Sequence, residues 1–341
     1  MDSLSQVVLG GAVGYAVLGS QVGRKAVIWG AILGTVPDLD VFLPYGGSVE
    51  AFTYHRSFSH SFLVHILMSP LIVWLILKIH KNTQQYRTRW FWLVFLTLTT
   101  HAILDSFTVY GTQLLWPLTE YPFGVSNLFI IDPLYTLPLL VGFVFTLLPK
   151  VTPRTASRAN SLGLWLSSLY VVWSLGAKVL IDDKIETALS AKQIKTGAYM
   201  STPAPFNTLL WRAVAMTDEG YYEIYASIFD DANQVDIAPF QSNTGLLKPI
   251  QDEWGVQRLQ WFTHGLYGIK QVDDAVVLSD LRMGTECRYV FNFEIGRVGP
   301  EGVVAGDFNQ KSQRPDFAGL GSIWQRIWDP SIRLSPFANE C

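Results

Sequence analysis

Apolar stretches of about twenty residues recur through the first half of this sequence, and they constrain the fold more than any other feature. A helix needs ~20 apolar residues to cross the hydrocarbon core of a bilayer. Two shorter glycine-rich segments, Leu4–Gly19 and Lys25–Val36, come first, either as full crossings or as a re-entrant pair. Their glycines suit close packing between membrane helices. The sequence therefore predicts an α-helical polytopic membrane bundle of about six helices, the other four at His60–Ile79, Trp90–Val109, Leu128–Leu148 and Leu162–Ile181.

Residues 182–341 have the composition of soluble protein and carry most of the acidic residues. We predict two domains, a membrane-embedded helical domain over residues 1–181 and a β-rich domain over residues 182–341. Aromatic and β-branched residues alternate between turn residues, which is typical of antiparallel strands. The net charge of −3 offers no basic surface for nucleic acid, so no nucleic-acid partner is expected. Predicted strands are Thr208–Thr217, Gly220–Phe229, Gln257–Tyr267, Ala275–Leu281 and Cys287–Glu294, with helices at Asp182–Lys195 and Ser322–Trp328 and an irregular tail from Gln313.

Basic residues indicate the orientation. They concentrate in the connections between the first and second, third and fourth, and fifth and sixth helices, and such connections face the cytoplasm. Both ends of the chain are then outside a bacterial cytoplasmic membrane, and the C-terminal domain is extracytoplasmic. No basic segment precedes Leu4, so we expect no cleavable signal peptide. In that compartment Cys287 and Cys341 can pair.

Polar chemistry is concentrated at the predicted outer ends of the membrane helices. Charged groups at the edge of a membrane segment are costly and usually functional. His101 and Asp105 stand four residues apart and share one helical face. Mixed imidazole and carboxylate donors suit zinc, and also manganese or iron. The sequence predicts a divalent metal site whose ligands are Asp40, His55, His60, His101 and Asp105.

Other residues near this site are assigned supporting roles. Asp38 or Asp40, in an extended arrangement after Pro37, can accept a proton from the attacking water, and we assign Asp38 and Arg56 as catalytic. Arg56 can bind an anionic group, or it can pair with a neighbouring aspartate. His65 is a buried hydrogen-bonding partner, and Asp132 either caps the fifth helix or bonds a ligand histidine.

The motifs of the first half resemble the YdjM/YbcI-type membrane-bound, metal-dependent hydrolases. The matching pieces cover about residues 1–150 and are MDSLSQVVLGGAVGYAVLG, GTVPDLDVF, HRSFSHS, HAILDSFTVYGTQLLWP and IDPLY. That family is distantly similar to zinc-dependent phospholipases C and single-strand nucleases, whose metal ligands include an HxxxD pair. Many members have a histidine where this chain has Gln6, which we place beside the metal. The resemblance implies phosphoester hydrolysis with metal ligands at Asp38 or Asp40, His55 or His60, His101 and Asp105.

The predicted function is hydrolysis of a phosphoester or lipid-linked substrate at the outer face of the membrane, with membrane lipid as the partner. Two alternatives come from other classes. An ion- or proton-coupled transporter could use the same acids and histidines, although the predicted cytoplasmic half of the helices is nearly all apolar. A catalytically inactive scaffold could use the C-terminal domain to bind another protein.

Overall fold

The computed structural model describes residues 1–311 and 320–335. The chain forms two compact units. The first comprises Met1–Leu43 and Arg56–Ser174, and the second comprises Pro44–His55 and Leu175–Cys341. The domain boundary predicted at residue 181 lies within one long helix, Pro153–Ala191, which begins in the first unit and ends in the second.

Each of the six predicted apolar segments contains a helix. Asp2 and Asp132 cap two of them, since each side chain accepts backbone N–H groups of the following turn. The helices are α1 (Ser3–Val22), α2 (Arg24–Leu33), α3 (Ser48–Tyr54, in the second unit), α4 (Phe62–Ile79), α5 (Arg87–Ser106), α6 (Pro133–Leu147) and α7 (Pro153–Ala191).

Within the described residues, three helices are long and apolar enough to cross a membrane, namely α1, α4 and α7. Helix α6 is apolar but shorter. Helix α2 has only 10 residues, and α5 begins with two arginines in its first turn, Arg87 and Arg89. The predicted number of about six crossings therefore stays a prediction.

Glycines let α1 and α2 approach until their backbones touch. A Cβ atom placed on Gly10 would overlap the carbonyl oxygen of Gly30, and one placed on Gly30 would overlap that of Gly10. Gly34 continues the contact, since its Cβ would lie 2.5 Å from the carbonyl oxygen of Gln6. The close packing predicted from these glycines is confirmed, and it brings the end of α2 against the start of α1.

Gly30→Val should destabilise the first unit, whereas Gly176→Val, at an exposed position of α7 in the second unit, should cost far less. Both variants replace a helical glycine by valine, so the change in helix propensity is the same. They differ because nothing lies within 4 Å of a Cβ at Gly176, whereas a Cβ at Gly30 overlaps the carbonyl oxygen of Gly10. Overpacking costs about 1–3 kcal/mol where side chains can adjust, and a backbone carbonyl adjusts less. Thermal unfolding in detergent would measure the difference, and equal midpoints would contradict the close α1–α2 contact.

The second unit contains two four-stranded antiparallel sheets, each with its strands paired in chain order. The later part of α7 packs on the first sheet, where Ile181 and Ile185 are buried with Trp211 and Ile224. The first sheet has strands β1 (Tyr199–Pro203), β2 (Leu210–Met216), β3 (Gly220–Ser227) and β4 (Asp236–Gln241), the second has β5 (Tyr267–Val272), β6 (Ala275–Asp280), β7 (Asn292–Gly299) and β8 (Gly302–Gln310), and the later helices are α8 (Trp254–Phe262) and α9 (Leu320–Trp328).

One predicted strand of this unit is wrong. Most of Gln257–Tyr267 belongs to helix α8, whose buried Val256, Leu259 and Phe262 recur at helical spacing, and β5 begins only at Tyr267. The segment predicted at Cys287–Glu294 is a strand only from Asn292. The predicted helix at Ser322–Trp328 is confirmed within α9. Cys341, the predicted partner of Cys287, and the first part of the tail predicted from Gln313 lie outside the described residues.

Candidate metal centre

Two histidines and two aspartates of the first unit converge at one place. Asp38 lies in the 3-10 helix Pro37–Phe42, and His60 ends a shorter 3-10 turn. His101 and Asp105 lie one turn apart on α5. One nitrogen or carboxylate oxygen from each residue lies within 4.8 Å of the others. Donors that are far apart in the chain thus form a single cluster.

Helix α5 fixes the two donors that it carries, because its apolar side chains enter both cores of the first unit. Leu93 and Leu98 are buried in the core that includes residues of α2 and α4. Leu104 is buried in the core that includes residues of α1 and α6. His101 and Asp105 therefore project from one face of a helix that has little freedom to move.

The donor atoms have the spacing of a tetrahedral metal site. Nε2 of His60 lies 3.2 Å from Nε2 of His101. Oδ1 of Asp38 lies 3.6 Å and 3.5 Å from these two nitrogens, and Oδ2 of Asp105 lies 3.1 Å and 3.4 Å from them. Four donors at about 2.0–2.1 Å from a tetrahedral zinc ion would be about 3.3–3.4 Å apart. The five separations between these donors therefore lie close to those expected around a single ion of that size.

The hydrogen bond made by Nδ1 of His101 fixes the tautomer of this imidazole, and so the state of Nε2, which faces the cluster. Nδ1 of His101 lies 2.7 Å from the carbonyl oxygen of Gly34. A carbonyl oxygen only accepts, so Nδ1 carries a hydrogen and donates it. In the neutral imidazole Nε2 then presents a lone pair to the cluster. This is the usual arrangement of a metal-binding histidine.

Ser59 and Asp40 orient His60 in the same way. The hydroxyl of Ser59 donates to Oδ2 of Asp40 at 2.6 Å, and its oxygen lies 2.9 Å from Nδ1 of His60. The hydroxyl hydrogen of Ser59 is donated to Asp40, so the hydroxyl oxygen of Ser59 can only accept a hydrogen bond from His60. Nδ1 of His60 therefore carries a hydrogen and donates it to Ser59. The backbone N–H of Arg56 also donates to Asp40, and His65 donates to the carbonyl of Ser59 at 2.8 Å. Nε2 of His60 is thus left with a lone pair facing the cluster.

Electrostatics favour a cation at this point. Two lone pairs and two carboxylate oxygens repel one another at this spacing, and buried charge is normally paired or bound to metal. Without a metal, one imidazole would have to hold a second proton. In that protonated state burial raises the pKa of Asp38, but a hydrogen bond from the imidazolium of His101 lowers it below the ordinary value. Asp38 is an anion in either state, and the donor set fits zinc, manganese or iron.

A family model described as YdjM inner membrane protein matches residues 1–181. The chain belongs to this family. The YdjM description assigns its members to the inner membrane, in agreement with the apolar helices.

One relative of this YdjM-family chain is the uncharacterized protein YfhP of Bacillus subtilis. The two are 30% identical over 142 residues, which is 39% of this chain and 42% of YfhP. The match therefore spans less than half of that relative's length. No solved structure matches the chain.

Of the two aspartates in the DLD motif, the structure brings Asp38 and not Asp40 into the cluster. Asp38, predicted as a catalytic carboxylate, lies in the cluster. Asp40, predicted as a ligand, instead holds Ser59, and its Oδ2 lies 3.9 Å from Nδ1 of His60. The sequence predicts an extended DLD segment, whereas the structure has a 3-10 helix there. Residues two apart in a 3-10 helix point about 120° away from each other, so both carboxylates cannot reach one ion.

Two further predicted residues lie outside the cluster. His55 follows the last residue of α3 and belongs to the second unit, and the cluster formed by the described residues does not include it. Asp132 caps α6 by accepting the N–H groups of Leu134 and Tyr135, and it accepts the hydroxyl of Tyr170 at 2.8 Å. Of the two roles predicted for Asp132, the structure contains the helix cap.

Gln6 contacts the metal centre through Asp105. Its Nε2 donates to Oδ1 of Asp105 at 3.0 Å and lies 3.3 Å from the carbonyl oxygen of His101. The backbone amine of Met1 also contacts Oδ1 of Asp105. These contacts hold Oδ1, so that Oδ2 faces the two histidines. Gln6 therefore orients Asp105.

Arg56 is buried at the edge of the cluster. Its backbone is in the left-handed region at φ 63°, which is uncommon for a residue other than glycine. Nε lies 3.2 Å from Oδ2 of Asp105, and Nη1 donates to the hydroxyl of Thr108 at 3.2 Å. The guanidinium carbon lies 5.2 Å from the ring centre of Tyr110. The pairing of Arg56 with an aspartate is thus present, and it holds a positive charge beside the donors.

Ser59→Ala should weaken metal binding about 10–100-fold, which is the usual effect of removing a residue that orients a ligand. The variant removes the acceptor of His60 Nδ1–H and leaves all four donors in place. Ser106→Ala is the matched control, because that hydroxyl bonds only the carbonyl of Ile103 in its own helix. Competition with a fluorescent zinc chelator would measure the affinities, and equal values for both variants would exclude the Asp40–Ser59 pair from the site.

Proposed function

We propose that this protein is a membrane-bound, metal-dependent hydrolase that cleaves a phosphoester in a lipid or lipid-linked substrate at the outer face of the cytoplasmic membrane. The observation that carries the proposal is the cluster of Asp38, His60, His101 and Asp105, in which both imidazole lone pairs face two carboxylates. The resemblance of the surrounding motifs to metal-dependent hydrolases supports the same function.

Each residue of the cluster has a part in the proposed chemistry. The four donors would hold a divalent ion, which when bound acidifies water and polarises the ester bond. Of these donors, Asp38 alone is partly exposed, so water entering from solvent meets its carboxylate first. Asp38 therefore accepts the proton of the attacking water. Asp40 is a poorer acceptor, because it is buried and already binds Ser59 and the backbone of Arg56.

Arg56 supplies positive charge where an anionic group would lie. Its guanidinium is buried beside Asp105 and is fixed by Thr108. A guanidinium is weakly hydrated and binds phosphate through several hydrogen atoms, which makes it suited to a buried phosphoester. A positive charge held in place before the reaction stabilises negative charge that develops on the phosphoryl oxygens.

The surroundings of Asp38 favour a substrate with an apolar part. The 3-10 helix that carries Asp38 also exposes Leu39, Val41 and Phe42. Exposed apolar side chains next to a polar site are typical of a binding surface. An acyl or prenyl chain would contact them while its phosphoester reaches the donors. The positions of the basic residues support an outer location for this end of the helices.

The test is hydrolysis by purified protein reconstituted in lipid vesicles and loaded with zinc or manganese. We expect release of phosphate or headgroup from phospholipids or lipid-linked phosphates, faster than from a water-soluble phosphoester, and none from the His101→Ala variant. Proton or metal flux across the vesicle without hydrolysis would favour the transporter alternative instead. A protein that binds no metal and hydrolyses nothing would favour the scaffold alternative.

A further inference from the structure

Three large aromatic side chains form an exposed surface on the second unit, which we name the aromatic patch. Phe229 follows strand β3, and Trp324 and Trp328 lie on α9. Their side chains are 56%, 60% and 57% exposed. The ring of Phe229 stacks on Trp328 at 4.9 Å, and the ring of Trp324 lies 6.2 Å from that of Trp328. Such a concentration of exposed aromatic surface marks an interaction site.

The exposure of the patch does not come from loose packing of α9. Arg326, on the opposite face of the helix, is fully buried and binds Asp230 through two nitrogens at 2.9 Å and 2.6 Å. Ile327 is also fully buried, and its carbonyl accepts the hydroxyl of Ser227 at 2.8 Å. Buried pairs of this kind fix α9 against β3. The aromatic side chains are therefore presented outward by a fixed helix.

Contacts with helix α7 show how far the aromatic patch lies from the end of the apolar segment of that helix. Lys184 of α7 donates to the carbonyls of Ser227 and Ile228, directly before Phe229. Four and five residues earlier on the same helix, Leu180 and Val179 are 61% and 68% exposed and belong to the apolar segment predicted at Leu162–Ile181. With a rise of about 1.5 Å per residue, the end of that segment at Ile181 lies about 4.5 Å from the level of Lys184. The patch thus lies near the level at which the apolar surface of α7 ends.

We propose that the aromatic patch lies in the headgroup region of the same bilayer that α7 enters. Tryptophan is enriched at this depth, because its ring is apolar and its indole N–H can still bond to water or headgroups. An amphipathic helix with tryptophans on its outer face is the usual form of such an anchor. The level of the patch, close to where the exposed apolar stretch of α7 ends, favours lipid over a second copy of the chain. The proposal does not depend on a bound metal or on hydrolysis.

Photocrosslinking in lipid vesicles tests this placement. A photoreactive p-benzoylphenylalanine replaces Trp328 in one variant of the full chain and Trp324 in another, and each is reconstituted in phosphatidylethanolamine and phosphatidylglycerol vesicles. Both positions are exposed, so the label does not disturb the core. The control carries the same label at Val272, which is 56% exposed in the other sheet. We expect several-fold more lipid adduct at positions 328 and 324 than at position 272, as measured by mass spectrometry.

Two results would overturn the proposal. Adducts between two copies of the chain, without lipid adducts, would make the patch a dimer interface. Equal and low lipid labelling at all three positions would place the patch in solvent or against another protein. Since no substrate or metal is added, the outcome is distinguishable from a failure of the proposed hydrolase function.

Discussion

His101→Ala should empty the metal centre and leave the protein in the membrane. We expect about one divalent ion per chain in the unaltered protein and less than about a tenth of that in the variant, because a site of three donors with two adjacent carboxylates loses most of its affinity. The helix should persist, since Leu98 and Ala102 on α5 remain buried. Elemental analysis of protein purified in detergent would measure the metal content.

His80→Ala is the matched control for this experiment. His80 lies outside the cluster, and its Nε2 accepts a hydrogen bond from the indole of Trp29 at 2.9 Å. Its removal should leave the metal content unchanged. Equal loss in both variants would point to general misfolding, and full metal content in His101→Ala would exclude the cluster as the binding site.

The helical part of the fold could be predicted because membrane helices give the strongest pattern in a sequence. Each of the six predicted segments contains a helix, and the α1–α2 contact follows from glycines that have no other reason to recur there. The number of crossings could not be predicted as firmly. Helix α2 is too short and α5 begins with Arg87 and Arg89, and hydropathy alone does not say how such helices lie in lipid.

The β-rich part was predictable where burial alternates on a strand. The error at Gln257–Tyr267 arose because Trp261 and Phe262 also suit a strand by composition. Helix α8 instead buries Val256, Leu259 and Phe262, which are spaced three residues apart, so the buried positions follow the helical period and not the alternation of a strand.

The donors of the site could be found from the sequence, but their arrangement could not. The HxxxD spacing places His101 and Asp105 on one helical face whatever the rest of the chain does. Which of Asp38 and Asp40 joins the other donors depended on the local backbone, and in the 3-10 helix it is Asp38, not the predicted ligand Asp40. Ser59 could have been noticed beside His60. The carbonyl of Gly34 gives no signal, because any residue has one.

Asp38→Asn should abolish most of the hydrolysis while leaving metal in the site. General-base catalysis contributes about 10²–10⁴-fold in rate, and an amide cannot accept the proton. The amide oxygen can still face His60 and His101, so at saturating metal the variant should bind about one ion per chain. The rate of phosphoester cleavage and the metal content would be measured on the same reconstituted sample.

Asp105→Asn is the comparison that distinguishes a proton acceptor from a metal ligand. Asp105 is fully buried, and its Oδ1 accepts from Gln6 and from the amine of Met1. In its amide variant the oxygen stays with these donors and the NH2 group takes the place of Oδ2 in the cluster, so metal and activity should be lost together. If Asp38→Asn also loses its metal at saturating concentration, Asp38 acts as a ligand alone. If it keeps both the metal and the unaltered rate, the proton is accepted elsewhere. Retained metal with a large loss of rate is expected only when the exposed carboxylate of the cluster takes part in the reaction.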